Sequence, residues 1–397
     1  MTKYIFLIFF LLGSVSCVPV RSYVSSKTFV TRTSGDAPPS FHVEELSRTI
    51  RVAIVVRHLS VKIVVPAQFE LDGIGALNSR AVQKGMEKLL SFNLTVQDLQ
   101  KPEAMMRPVG EGEVEVDGSH YKGTIRLITD NNGTLTVVNE LPIEDYVMGV
   151  LAGEIPGSWP IEALKAQAIA ARTFAVYKQA EAKRKGQPYD LESTASSQMY
   201  IGSRLVNQNI QQAVWSTKGE ILTYNDQPIM AVFHSNCGGE TTGALDVWGR
   251  DQPYLKPVSC SFGNHGPHYE WKEEVGISEV TRKLRLAKIS IYDIVQISAV
   301  DRDDNHRVTK LVLMDGDGSK KTIKGAAFRM ALGPDVIRST RFEAKLEGDK
   351  ILFGGLGWGH GVGLCQEGAC GMAKAGYGAF DILRHYYYGV ILDKMKN

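Results

Sequence analysis

The sequence predicts an α+β protein: a β-rich framework carrying a helical segment and a glycine-rich C-terminal motif that together line one cleft. Three observations predict it. Residues 49–138 hold short β-branched runs separated by Asp-Gly and Asn-Gly pairs, the pattern of antiparallel hairpins. Between residues 144 and 185 the apolar spacing changes to the helical repeat. The composition, 44% hydrophobic and 22% charged over 397 residues, matches ordinary globular chains and excludes collagen-like, disordered and polytopic membrane classes. With 45 Lys+Arg against 43 Asp+Glu the net charge is +2, too weak a field to recruit a polyanion, so nucleic acid is not an expected partner.

Lys3 precedes an apolar run from Tyr4 to Leu12, followed by Gly13-Ser14-Val15-Ser16-Cys17. The run is too short to span a bilayer core of ~30 Å and reads as an export signal. Cys17, directly after small residues, matches the lipid acceptor of a bacterial lipoprotein signal, although Ser14 stands where such signals usually carry Leu; the alternative is an ordinary signal peptide cut near the same place. Residues 1–17 are therefore assigned to the signal and 18–45, with Pro19 and Pro38-Pro39, to a flexible tether. The expected location is the cell envelope, with a lipid anchor as the sole membrane attachment.

Residues 46–106 form a β-rich N-terminal region. Ile50–Val56 and Val61–Val65 read as strands, and Ala81–Leu90 as one helix. Residues 107–393 form the main domain. Glu113–Val116, Tyr121–Leu127 and Leu135–Val138 are strands punctuated by Asp117-Gly118 and Asn132-Gly133. Glu144–Glu154 is a helix stopped by Ile155-Pro156, and Ser158-Trp159-Pro160 opens a second, alanine-rich helix to about Lys185, with Ser158 as its cap. Residues 190–200 are irregular, Gln211–Thr217 helical, and Ile221–Tyr224 with Ile229–His234 a hairpin across Asn225-Asp226. Residues 270–350 mix a helix at Ser278–Arg285 with strands near Ile294–Val300 and Lys310–Met314. After the glycines of 354–363 come helices near Cys365–Ala375 and Phe380–Tyr387.

Four clusters can carry chemistry. Glu154 sits at a helix end beside Ile155, Pro156 and Trp159, apolar surroundings that raise a carboxyl pKa and suit it to general-acid work, the alternative being an exposed or capping residue. Gln167 and Arg172, five apart on the small-residue helix, can hold a sugar or a carboxylate, or be plain surface residues. His234, Cys237, Cys260, His265 and His268 offer imidazole and thiol donors without the paired short spacers of a zinc finger, so outside the cytoplasm a Cys237–Cys260 disulfide is expected, with a metal site or free thiols as alternatives. Gly357 to Gln366 packs glycines around His360, exposing His360 or Gln366 to a ligand; no Gly-Lys-Ser/Thr follows, so it is not a phosphate loop. Cys365 and Cys370 receive no role.

Several long motifs occur in one order. They are Asn139-Glu140-Leu141-Pro142-Ile143-Glu144-Asp145-Tyr146, Glu154-Ile155-Pro156, Trp159-Pro160 through Ala170-Ala171-Arg172-Thr173, Gln198-Met199-Tyr200-Ile201-Gly202, His234-Ser235-Asn236-Cys237-Gly238-Gly239, Asp246-Val247-Trp248-Gly249 and Gly359-His360-Gly361-Val362-Gly363-Leu364. Over about residues 110–393 the chain resembles the stage II sporulation protein D and amidase-enhancer domain family. The resemblance implies a peptidoglycan lytic transglycosylase that cleaves N-acetylmuramic acid–N-acetylglucosamine bonds in glycan strands stripped of stem peptides, leaving 1,6-anhydro ends. It puts the catalytic glutamate at Glu154, with no cofactor, and the clusters read above supply the expected substrate contacts, Gln167, Arg172, His234, His360 and Gln366. Some members hold zinc just before the Gln-x-Tyr-x-Gly motif; here Asp190–Ser197 lacks cysteine and histidine, so hydrogen bonds are expected to hold that loop instead. The rival readings are a non-enzymatic activator of a cell-wall amidase and a passive glycan-binding lipoprotein whose tryptophans and tyrosines stack on sugars.

Overall fold

The computed structural model describes residues 47–395 apart from 67, 76–79, 85–86, 111 and 195–196, and gives no side-chain surroundings for 80–88. The signal, Cys17 and the tether lie outside the described residues. Strand residues outnumber helical ones, 36% to 27%, as an α+β chain with a β-rich framework requires.

Two sheets make the framework. The first runs, in spatial order, Leu191–Glu192, Thr49–His58, Leu135–Pro142, Thr124–Thr129, Glu103–Pro108 and Phe69–Asp72. The second runs Arg80–Lys84, Glu87–Thr95, Ser60–Pro66, Val114–Val116 and Ser119–Tyr121. In both sheets a strand from before residue 106 pairs with one from after it, Thr49–His58 with Leu135–Pro142 and Ser60–Pro66 with Val114–Val116, so the N-terminal region is part of the framework. Asp117 and Gly118, with φ of 46° and 87°, make the tight turn expected of Asp-Gly.

The helix expected over Ala81–Leu90 is instead a strand pair. Glu87–Thr95 pairs antiparallel with both Arg80–Lys84 and Ser60–Pro66, and that ladder overrides the local helical spacing. The expected strand Tyr121–Leu127 breaks at Gly123, whose φ of 83° and close approach to the Glu140 carbonyl admit no side chain.

Two helices follow the first sheet: α1 (Ile143–Glu154) and α2 (Ile161–Arg184). Ser158 does not cap α2. Pro160 occupies the cap position without a side-chain bond, and Ser158 is exposed. Helix α2 is buried on two faces: Leu164, Ala168, Ala171 and Ala175 join the framework core, while Ala166, Ile169 and Ala170 join a second core. Alanine lets both layers approach the helix backbone. Next come α3 (Gln208–Ser216), capped by Asn207, and a strand Glu220–Tyr224 that turns at Asn225-Asp226 into Gln227–Pro228. The hairpin's return strand stops there, earlier than expected. Phe233–His234 pairs elsewhere, parallel to Leu364–Cys365, with His234 opposite Cys365.

After α4 (Ala244–Trp248) the chain builds a third core, drawn wholly from residues 271–353. It holds α5 (Ile277–Leu286), α6 (Gly325–Leu332) and two three-stranded antiparallel sheets. Helices α7 (Gln366–Lys374) and α8 (Ala379–Tyr386) return to the second core beside α2. No described helix is long and apolar enough to cross a membrane.

Candidate active site

Glu154 is the last residue of α1. The helix stops because Pro156 disfavours helical backbone at Ile155, which is extended at φ −141° and ψ 152°. Its carboxyl is half-buried and has two partners: Oε1 accepts the Met199 backbone N–H at 2.8 Å, and Oε2 lies 3.4 Å from Gln366 Nε2. Burial lifts the Glu154 carboxyl above its ordinary range, while the Met199 and Gln366 contacts pull it back. The negative end of the α1 dipole adds to the upward push.

The Met199 amide is aimed by what surrounds it. Gln198 accepts from Tyr146 Oη at 2.7 Å and donates to the Ala171 carbonyl at 3.3 Å, while Tyr200 Oη donates to Asn139 at 2.7 Å. Helix α1 presents glycine to this segment. A Cβ on Gly153 would stand 2.4 Å from the Met199 carbonyl, and one on Gly149 would stand 2.5 Å from the Tyr200 ring. A backbone donor leaves no residue-type signal, so sequence reasoning missed Met199.

Gln366 begins α7 and reaches Glu154 across 212 residues of chain. The preceding Cys365 caps that helix through the Gly368 N–H. Glu367, next along, is buried but committed: its oxygens take Asn236 Nδ2 at 2.6 Å and His268 Nδ1. Glu154 is thus the carboxylate left available for a substrate among this group.

The His234 and His360 rings lie tilted at 58° with centroids 5.3 Å apart, and the Trp248 ring centroid is 5.3 Å from that of His360. Gly359, at φ 119°, lets this happen, since a Cβ there would meet His234 Cβ at 2.6 Å. His360 Nδ1 accepts the Val362 N–H at 3.0 Å, so the neutral ring carries its proton on Nε2. Burial and the nearby Arg329 and Arg307 push His360 down to about 3, and burial pushes His234 far below its usual range. Both rings are neutral at physiological pH. Trp248 is 42% exposed, whereas Tyr386 and Tyr387 are core residues, so stacking on a sugar is open to the first and closed to the other two.

The structure corrects two of the expected substrate contacts. Arg172 is fully buried, and its guanidinium is spent on Glu144 at 2.6 and 3.1 Å, the Glu220 carbonyl at 3.0 Å and the Val214 carbonyl at 3.4 Å. It holds α1, α2 and α3 together. Gln167 is 2% exposed; its amide atoms have no protein partner, but they present no surface to a glycan.

The expected Cys237–Cys260 disulfide is absent, and both residues are free thiols, as are Cys365 and Cys370. Cys237, Cys260 and Cys365 instead share one site, so Cys237 has two sulfur neighbours rather than one dedicated partner. The loop in which relatives of the resembled family hold zinc does not fit the ion. Asp190 is bound to Arg51 at 2.6 Å, and Ser193 Oγ donates to the Tyr200 carbonyl at 2.5 Å. A separate recess lined by Glu113, Lys122, Asp145 and Tyr200 includes none of the expected site residues.

Comparison with known proteins fits this geometry. A family model described as stage II sporulation protein matches residues 131–224, which carry α1, Glu154, α2 and the Met199 segment. A model of a domain of unknown function matches residues 259–363, spanning the third core. The chain is 36% identical over 275 residues to an uncharacterized protein of Brachyspira hyodysenteriae, covering 69% of this chain and 73% of that one. It is 36% identical over 270 residues to the stage II sporulation protein D of Bacillus subtilis, covering 65% and 76%. It is 28% identical over 327 residues to the amidase enhancer of Bacillus subtilis, covering 70% of this chain and 45% of that one. On the strength of these matches, the chain belongs to the stage II sporulation protein D family.

Proposed function

We propose that this protein is a peptidoglycan lytic transglycosylase acting on glycan strands without stem peptides. One observation carries the reading: Glu154, whose carboxyl burial pushes above its ordinary range, has an amide hydrogen and an amide side chain as partners rather than a second carboxylate. A hydrolase that activates water uses two carboxyl groups, but ring closure needs one. Glu154 gives its proton to the glycosidic oxygen as the bond from muramoyl C1 to that oxygen breaks. The muramoyl 6-hydroxyl then bonds to C1, and its proton returns to the Glu154 carboxylate. No water is consumed and the carboxyl is regenerated. The nucleophile is already attached to the ring, so its closure avoids the entropy of a bimolecular encounter.

Gln366 steadies the carboxylate formed midway, and Trp248 offers an exposed aromatic face beside neutral His360 for a sugar ring. Export to the envelope, with Cys17 as lipid anchor, completes the proposal. Incubating purified protein with denuded strands should yield anhydro-muramic ends by mass spectrometry; no product from wild type, or equal product from Glu154→Gln, would sink it. A second reading, activation of a cell-wall amidase, draws on the likeness to a protein named amidase enhancer. Amidase rates measured with wild-type and Glu154→Gln protein separate the two, because a non-enzymatic activator loses nothing in the variant.

A further inference from the structure

Three chain segments bring buried cysteines to one point. Cys237 follows the strand Phe233–His234, Cys260 lies just before α7's neighbouring loop at residues 261–263, and Cys365 ends the strand that pairs with Phe233–His234. All three thiols have no exposed surface. A ligand atom of His234 and the sulfurs of Cys237 and Cys365 lie within 4.8 Å of one another. Cys260 lies beside them: a Cβ built on Gly368 would stand 2.5 Å from Cys260 Sγ and 3.2 Å from Cys365 Sγ.

Two further observations ask for a ligand here. His234 Nδ1 lies 3.1 Å from the Val362 carbonyl, a contact that places the ring proton on Nδ1 and leaves Nε2 as a bare acceptor. That Nε2 is buried with no hydrogen-bond partner. Metal-binding histidines are oriented in this way, with one nitrogen tied to a carbonyl and the other free. Arg307 is the second. It is 2% exposed, donates to the Cys237 carbonyl at 2.8 Å, and leaves Nε and Nη1 unpartnered, with Cys237 and Cys365 among the charges acting on it. Asp303 is nearby, but a buried guanidinium with two nitrogens left without partners is costly.

We propose that His234, Cys237, Cys260 and Cys365 form a closed, structural zinc site. Three thiols release their protons to solvent and, with neutral His234, bind Zn²⁺ as a tetrahedral complex of net charge −1, a countercharge for Arg307 beyond that of Asp303. Zinc bonds of about 2.0–2.3 Å place donors roughly 3.5 Å apart, so small side-chain rotations close the set. The ion ties the His234–Cys237 loop to Cys365, the residue before Gln366, and so fixes the side chain that meets Glu154. The proposal goes beyond the transglycosylase reading, and its test does not use glycan.

The full exported chain, purified without chelator, should contain one equivalent of zinc by elemental analysis. Cobalt substitution should give thiolate-to-cobalt charge transfer and tetrahedral visible absorption. Cys237→Ser, Cys365→Ser and His234→Ala should lose the metal, Cys370→Ser should keep it, and Arg307→Met should weaken affinity about 10–100-fold. If the ligand variants do not fold, wild type carries the test: chelation should lower Tm and open Cys237, Cys260 and Cys365, but not Cys370, to alkylation. Metal-free wild type with a Cys237–Cys260 disulfide by peptide mapping, ligand variants that retain zinc, or a chelator with no effect on Tm and alkylation would each overturn it.

Discussion

Replacing Arg172 by Met separates a structural arginine from a substrate-binding one. Wild-type Arg172 has no exposed surface and is held by Glu144 through two contacts and by two backbone carbonyls. Glu144 Oε1 also accepts the Gly219 N–H at 3.0 Å. The variant fills much of the same space but leaves the Glu144 carboxylate buried with that one partner. Breaking a buried pair from one side costs about 3–5 kcal/mol. At about 2–4 °C per kcal/mol this lowers Tm on the order of 10 °C. Replacing both partners, Glu144→Leu with Arg172→Met, removes the orphaned charge and should recover much of the loss. The chemistry should survive at low temperature: Glu154 lies ten residues along α1 from Glu144, about 15 Å at 1.5 Å per residue. Differential scanning calorimetry gives the stability, and anhydro-end formation below the variant's Tm gives kcat and KM. Unchanged Tm with a raised KM would refute the structural role and restore Arg172 to the substrate site.

Glu154→Gln should lower turnover about 10²–10⁴-fold, the usual contribution of a general acid–base group, without lowering Tm. Because folding raises the Glu154 pKa, the folded state holds its proton to higher pH, so its contribution to stability falls as pH rises from the unfolded toward the folded pKa. Glu154→Gln escapes that loss, and its Tm relative to wild type should improve from acid to neutral pH. The wild-type rate should drop on the alkaline side as the acid ionises. Gln366→Leu removes a contact that favours the ionised carboxyl, so this alkaline limb should move to higher pH, with a limb left in place counting against the contact. Gly153→Ala places a methyl 2.4 Å from the Met199 carbonyl, shifts the N–H on Glu154 and should cut kcat more than it raises KM; equal kcat would mean that the segment yields freely.

How much was legible in the sequence depended on the range of each interaction. Asp117-Gly118 and Asn225-Asp226 were readable as turns because residue type dictates positive φ locally. Helices α1 and α2 were readable because their periodicity is long, and Ile155-Pro156 marks the stop. Ala81–Leu90 misled because a short apolar spacing fits either helix or strand until the Ser60–Pro66 strand pairs with it. The proposal of Glu154 as the acid rests on its motif. The partners that tune it were not legible there, since Met199 offers only backbone and Gln366 arrives from the far end of the chain.

The sequence by itself therefore determined the fold class, the helix that carries Glu154 and the family likeness. Those rest on local conformational preference and on contiguous motifs. Tertiary structure alone decided that Arg172 is a buried brace, that the third core is built from residues 271–353, and that Cys237, Cys260 and Cys365 gather at His234 instead of two pairing off. The physical reason is burial and convergence. A guanidinium or a thiol acquires its role from the groups that displace water around it, and those come from separate segments, 28 residues away for Glu144 at Arg172 and 128 for Cys365 at Cys237.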